Sequence, residues 1–209
     1  MNIDNLSAWE SWMDELALND FVIIDDFLSP DHLKILLLFF EEKLREDEFS
    51  KAAIGATGNE LIINEVRGDY TYWLERDVDK ELAPIFELLE GTKDKINQLC
   101  YLSLSDFEFH LAHYPMGSFY KKHLDQFNHR NNRMISMIIY LNENWQKGDG
   151  GELRVYPKNT KEIDISPIMN RCILFKSDTL LHEVLKTNVG RKSLTGWMLY
   201  QPSPLADIG

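Results

Sequence analysis

The chain has 209 residues, 44% hydrophobic and 27% charged, a composition that suits an ordinary globular protein with a sizeable core and makes one domain the default. Its net charge of −12 argues against a generic nucleic-acid binder, which needs a basic footprint. Two cysteines, Cys100 and Cys172, are too few for a disulfide framework. The start "MNIDNLSAWE" has neither the basic end nor the apolar core of a signal peptide, and the longest apolar run, "ILLLFF" at 35–40, is too short to span a bilayer, so no membrane partner and a reducing cytoplasm are expected.

In chain order, "SAWESWMDELALN" is expected to be helical, with Ser7 as N-cap and Glu10 completing a capping box. "FVIIDDFLS" (21–29) looks like a short buried strand. Ser29 followed by Pro30 opens a second helix over 30–46. A third helix is expected within 79–103, where Pro84 marks either a kink or the true start. From about residue 106 the period changes. Phe107, Phe109 and Leu111 alternate with Glu108, His110 and Ala112, and "RMISMIIYLN", "GELRVYP", "RCILFKS", "LHEVLK" and "RKSLTGWMLY" follow, separated by turn-like segments. About seven or eight strands at this spacing suggest a sandwich or barrel, with a jelly roll as one solution. The expected architecture is α+β with a mainly β core. Residues 1–105 form a helical support and 106–203 the core, with no linker between them.

The chemistry concentrates in "YKKHLDQF" (120–127). On a strand, His123 and Asp125 share a face and converge; on a helix they would diverge. His182 stands about 60 residues on, in "LLHEVL". Two histidines and a carboxylate that leave coordination positions open form the facial triad of non-haem iron(II) oxygenases. Such a site needs a cation to hold an anionic co-substrate. Arg191 lies nine residues after His182, beyond the turn "KTNVG". It is expected on an antiparallel neighbour of the His182 strand, pointing into the same cavity. A guanidinium can grip a carboxylate with two hydrogen bonds. Along the last strand Arg191, Ser193, Thr195 and Trp197 share a face, so Thr195 could add a hydroxyl and Trp197 a wall; Lys192 competes with Arg191 for the carboxylate. His32 reads as structural, His129 falls in a polar loop, and His110 and His113 have no assigned place.

The motifs "RGDYTYW" (67–73), "HYPMGSFYKKHLD" (113–125), "IIYLNENW" (138–145), "GGELRVYP" (150–157) and "LHEVLKTNVGRKSLTGWML" (181–199) together resemble the 2-oxoglutarate- and Fe(II)-dependent dioxygenases of the prolyl 4-hydroxylase superfamily, and within it the HIF-type prolyl hydroxylases and their bacterial relatives. The resemblance spans roughly residues 60–200 and implies a double-stranded β-helix buttressed by N-terminal helices. It implies His123, Asp125 and His182 as iron ligands, and Arg191 with Tyr140 on the distal carboxylate of 2-oxoglutarate. Tyr114 is implied at the pocket mouth, with Ile138, Leu153, Val184, Thr195 and Trp197 as lining. Arg67, Asp69 and Trp73 are implied near the peptide entrance. Fe(II), 2-oxoglutarate and O2 follow as cofactor and co-substrates, ascorbate as activator, and a protein presenting a proline as partner. The segment before Asp125 is one residue shorter than in the human-type pattern, and the loop after it differs in length, both on the substrate side. A related oxygenase acting on a free amino acid or another small molecule and a non-catalytic jelly-roll binding module are the competing readings.

Overall fold

The structure, a computed structural model, describes residues 5–52, 67–126, 131–158 and 160–200. Helix α1 (Leu6–Asn19) buries Trp9, Met13 and Leu16 on one stripe. Its cap is Asn5 rather than Ser7: the Asn5 side chain accepts from the Ala8 backbone N–H, which starts the helix earlier and leaves Ser7 inside the first turn. Strand β1 (Phe21–Ile24) leads to α2 (Pro30–Arg45), where Ser29 accepts from the His32 N–H at 3.2 Å and Pro30 occupies a position whose N–H would have no helical partner. Acidic Asp31 in the first turn and Lys43 and Arg45 in the last complement the helix dipole.

Two short strands, β2 (Ser50–Lys51) and β3 (Tyr70–Trp73), interrupt the half expected to be mainly helical. They form because "YTYW" is β-branched and aromatic and pairs alongside a long strand edge. A 3₁₀ turn (Lys80–Leu82) precedes α3 (Ala83–Cys100), so Pro84 marks a start and not a kink. Eight strands follow: β4 (Leu104–Tyr114), β5 (Tyr120–His123), β6 (Arg133–Tyr140), β7 (Leu153–Tyr156), β8 (Ile163–Ile165), β9 (Cys172–Lys176), β10 (Leu181–Val184) and β11 (Arg191–Tyr200). The short β8 carries only three residues of weak alternation and was not anticipated. His129, residues 60–66 and residues 201–203 lie outside the described residues.

The strands form two antiparallel sheets, ordered β1-β9-β6-β11-β4-β3-β2 and β5-β10-β7-β8. Side-chain alternation divides the large sheet into two apolar faces. One face, with Phe109, Leu111, Met137, Ile139, Leu194 and Met198, packs under the three helices against Trp9, Leu36, Phe40, Ile85 and Leu89. The other, with Ala112, Tyr114, Ile138, Tyr140 and Ile173, meets Leu153, Val155 and Val184 of the small sheet. This is the expected double-stranded β-helix with helices buttressing its larger sheet. Asn170 helps lock the two together. Its buried side chain accepts from the Leu28 N–H at 2.7 Å and donates to the Leu28 carbonyl at 3.0 Å, fixing the chain between β1 and α2. Among the described residues no helix is long and apolar enough to cross a membrane.

Candidate active site

All the expected site residues except Tyr140 and Asp69 line one cavity of about 330 Å³ between the two sheets. Strand β5 pairs with β10 so that His123 lies directly opposite His182. β5 ends at His123, and Asp125 sits in the bend just beyond it, still turned to the same side. The result is a compact triad. Asp125 Oδ1 lies 3.4 Å from His123 Nε2 and 3.7 Å from His182 Nε2, and one donor atom from each of the three residues falls within 4.8 Å of the others.

Each member is held from behind. His123 Nδ1 lies 2.8 Å from the Lys121 carbonyl and His182 Nδ1 3.0 Å from the Leu180 carbonyl. A carbonyl only accepts, so both Nδ1 atoms carry the proton and both Nε2 lone pairs point inward, the tautomer a metal requires. On the far side Ser136 donates to Asp125 Oδ2 at 2.6 Å and stands 2.8 Å from Ser177. Arg133 reaches the Asp125 carbonyl. Burial alone would favour a neutral Asp125, but His182, His123 and the Ser136 hydrogen bond outweigh it and hold the carboxyl well below its usual range. Burial pushes the His182 imidazole down to about 4, against the pull of Asp125. A charged carboxylate and neutral imidazoles are the forms that bind a divalent cation, so this donor set fits iron(II).

Arg191 reaches the same cavity from the opposite side. It is not on a hydrogen-bonded neighbour of the His182 strand, as its spacing suggested. β10 belongs to the small sheet and β11 to the large one, and the chain crosses between sheets at 185–190. Arg191 is 2% exposed. Its Nε donates to the Gly151 carbonyl at 3.0 Å and its Nη1 to Ser193 Oγ at 3.3 Å, and no carboxylate pairs with it among the described residues. Gly151, at φ +77°, is tightly fitted: a Cβ there would stand 3.2 Å from the Arg191 side chain. The Tyr114 and Tyr140 rings each lie 4.9 Å from the guanidinium carbon, and the buried Tyr140 hydroxyl has no hydrogen-bond partner among the described residues. An unpaired buried cation beside an unpaired buried hydroxyl fits the far carboxylate of a small dicarboxylic acid. Thr195 Oγ1, 3.0 Å from Ser193 Oγ, and the apolar Ile138, Leu153 and Val184 line the space between. Tyr114 is therefore buried beside Arg191 and not at a mouth. Lys192 points to the other face, where it pairs with Glu41 of α2.

The remaining wall carries Trp197, Trp73, His110, Arg67 and Arg133. Asp69 does not face the cavity. It is buried in a two-point pair with Arg67, whose Nε lies 2.7 Å from Asp69 Oδ1, and so fixes that guanidinium over the Tyr120 ring. Sequence reasoning missed Ser136, Ser177, Arg133 and His110. Strand alternation could have found two of them: Ser136 shares a face with Ile138 and Tyr140, and His110 with Ala112 and Tyr114.

The fold and the site define a double-stranded β-helix whose His123–Asp125–His182 cluster could hold a metal ion, with a buried arginine across the cavity. Residues 109–199 match the 2OG-Fe(II) oxygenase superfamily. A Pseudomonas putida prolyl-4-hydroxylase structure is 32% identical, with a TM-score of 0.83 and coverage of 92% of this chain and 99% of that one. A Trichoplax adhaerens prolyl hydroxylase, solved with a hypoxia inducible factor oxygen degradation domain peptide fragment, is 28% identical, again with a TM-score of 0.83, covering 93% of this chain and 90% of that one. The Hypoxia-inducible factor prolyl hydroxylase of Caenorhabditis elegans is 31% identical over 198 residues, 88% of this chain; the chain spans about a quarter (27%) of that relative's length. The chain belongs to the 2OG-Fe(II) oxygenase superfamily, among its prolyl hydroxylase-type members.

Proposed function

We propose that this chain hydroxylates a prolyl residue of a protein, using Fe(II), 2-oxoglutarate and O2 and releasing succinate and CO2, with ascorbate as activator. One observation carries the reading: a single cavity holds the triad of half-buried His123 with buried Asp125 and His182 and, across from it, a buried Arg191 that no described carboxylate neutralises. The prolyl hydroxylases of Pseudomonas putida and Trichoplax adhaerens support the substrate class.

His123, Asp125 and His182 would hold the iron, and Ser136 keeps the Asp125 carboxylate turned toward it. Arg191, with the Tyr140 hydroxyl and Thr195, would seat the distal carboxylate of 2-oxoglutarate, which orients the molecule's other end toward the triad. When bound, iron and 2-oxoglutarate together supply the oxidation: one oxygen atom of O2 enters the substrate C–H bond and the other enters succinate as CO2 leaves. The side chains bind, orient and exclude water; none is required to move a proton. Arg67, Trp73 and Trp197 would flank the entering peptide. We place the reaction in the reducing cytoplasm, in keeping with the free thiols of Cys100 and Cys172.

Incubation with Fe(II), ascorbate and carboxyl-labelled 2-oxoglutarate tests the chemistry. Labelled CO2 should be released by the native protein and lost in His123→Ala and Asp125→Ala; equal release in those variants removes the site. A gain of one oxygen on a prolyl residue of a cellular protein supports the substrate, whereas turnover of free amino acids alone points to the small-molecule reading.

A further inference from the structure

One wall of the cavity carries polar atoms that neither metal nor co-substrate would use. His110, on β4, is 3% exposed. Its ring stacks on Trp197 at 5.5 Å and lies 4.7 Å from the ring of Trp73, which is 45% exposed at the rim. His110 Nδ1 and Trp197 Nε1 are buried and have no partner among the described residues, and both side chains line the cavity. Leaving such atoms unpaired costs about 1–3 kcal/mol each, so a ligand that pairs with them is favoured. Register places His110 opposite Thr195 of β11 on one side and Trp73 of β3 on the other, between the 2-oxoglutarate seat and the rim.

The two guanidiniums nearby are matched. Arg67 pairs with Asp69, and Arg133 with Glu108. Burial, with added repulsion from Arg67, pushes the His110 imidazole down to about 3. At neutral pH it is an uncharged ring with one donor and one acceptor. Lys51, on the edge strand β2, also lines the cavity. A free amino acid would bring to this wall an ammonium and a carboxylate for which the paired guanidiniums offer little. A peptide unit brings one C=O acceptor and one N–H donor between aromatic faces, which matches an indole N–H and a neutral imidazole.

We infer that His110 is a specificity-determining residue: with Trp197 it hydrogen-bonds the backbone amide adjoining the residue to be oxidised, and so selects a peptide over a free amino acid. The inference rests on the prolyl hydroxylation reading above. The probe is a pool of N-acetylated, C-amidated peptides with a central proline and randomised flanks, set against free L-proline, with Fe(II) and 2-oxoglutarate. The peptide turned over best is then measured with each variant. His110→Phe keeps the stacking and deletes the polar atoms; it should raise the peptide KM about tenfold while kcat moves by less than about twofold. Trp197→Phe, which deletes the indole N–H from another strand, should act in the same direction, so the test does not depend on one variant folding. His110→Asn, which restores a donor and an acceptor, should recover most of the loss. An unchanged KM in both phenylalanine variants overturns the inference and leaves prolyl hydroxylation standing. Turnover of L-proline without any member of the pool, or of neither probe, overturns the functional reading and this inference with it.

Discussion

Replacing Arg191 by methionine separates a residue that serves a ligand from one that serves the fold. In the fold the guanidinium is 2% exposed, bonds to Gly151 and Ser193, and faces no described carboxylate. Removing it forfeits two hydrogen bonds donated by a charged group, worth about 1.5–3 kcal/mol each. It also relieves the desolvation of an unpaired charge, which costs several kcal/mol. The two nearly cancel, so urea unfolding of the ligand-free variant should stay within about 1 kcal/mol of the native protein. Ligand binding should respond very differently. Two charge-assisted hydrogen bonds at about 1.5–3 kcal/mol each, less partial compensation by water, amount to about 3–4 kcal/mol. At about 1.4 kcal/mol per tenfold, the 2-oxoglutarate Kd should rise by two to three orders of magnitude. Calorimetric titration of 2-oxoglutarate into the metal-loaded protein measures it, with a separate metal titration expected to be unchanged. An unchanged 2-oxoglutarate affinity, or a loss of more than about 3 kcal/mol in the ligand-free fold, would refute the reasoning by making Arg191 a structural residue. Lys192→Ala should leave 2-oxoglutarate binding intact, since Lys192 pairs with Glu41 on the helical side.

Ser136→Ala removes the 2.6 Å hydrogen bond to Asp125 without touching a ligand atom, and should weaken metal binding about tenfold in a competition titration while the fold survives. His110 gives the fold an acid sensitivity. Its folded pKa of about 3 lies below the ordinary 6.5, so the unfolded chain takes up the proton first and stability falls as pH drops from 6.5 toward 3. At about 1.36 kcal/mol per unit, unfolding measured at pH 5 should show a His110 contribution of about 2 kcal/mol lost relative to pH 7, and His110→Phe should lack that share of the decline. Gly196→Ala should be severe, because a Cβ there would stand 2.3 Å from the Glu108 carbonyl and 2.4 Å from the Phe109 ring, where β11 meets β4. A cost of about 3 kcal/mol, read as a Tm lower by about 6–12 °C, is expected; an unshifted Tm contradicts the packing.

The legible parts of the sequence were those with a local physical signature. Ser29–Pro30 announced its helix because capping and the missing proline N–H are local effects. The alternation in β4 and β11 was visible because one residue of slip would exchange the two faces. His123 and Asp125 could be read as converging from their spacing alone. What needed tertiary knowledge was missed. β3 forms because β4 offers it an edge, and β8 because β7 does. Asn5 and Ser7 are both good caps, and packing of Trp9 decides the register of the helix they precede. Arg191 was found by its distance along the chain but assigned to the wrong neighbour, since nothing in "KTNVG" reveals that the chain passes from one sheet to the other. Ser136 looks like any small residue inside an apolar strand; its role depends on Asp125, 11 residues away, folding back over it.

The most direct test of the site is a crystal structure of the protein grown without oxygen in the presence of Fe(II) and 2-oxoglutarate, with anomalous data collected at the iron edge. The expected result is one iron peak within about 2.0–2.3 Å of His123 Nε2, Asp125 and His182 Nε2, and a 2-oxoglutarate whose far carboxylate rests on Arg191 and the Tyr140 hydroxyl. Iron held by other residues, or a co-substrate whose carboxylate lies away from Arg191, would contradict the account.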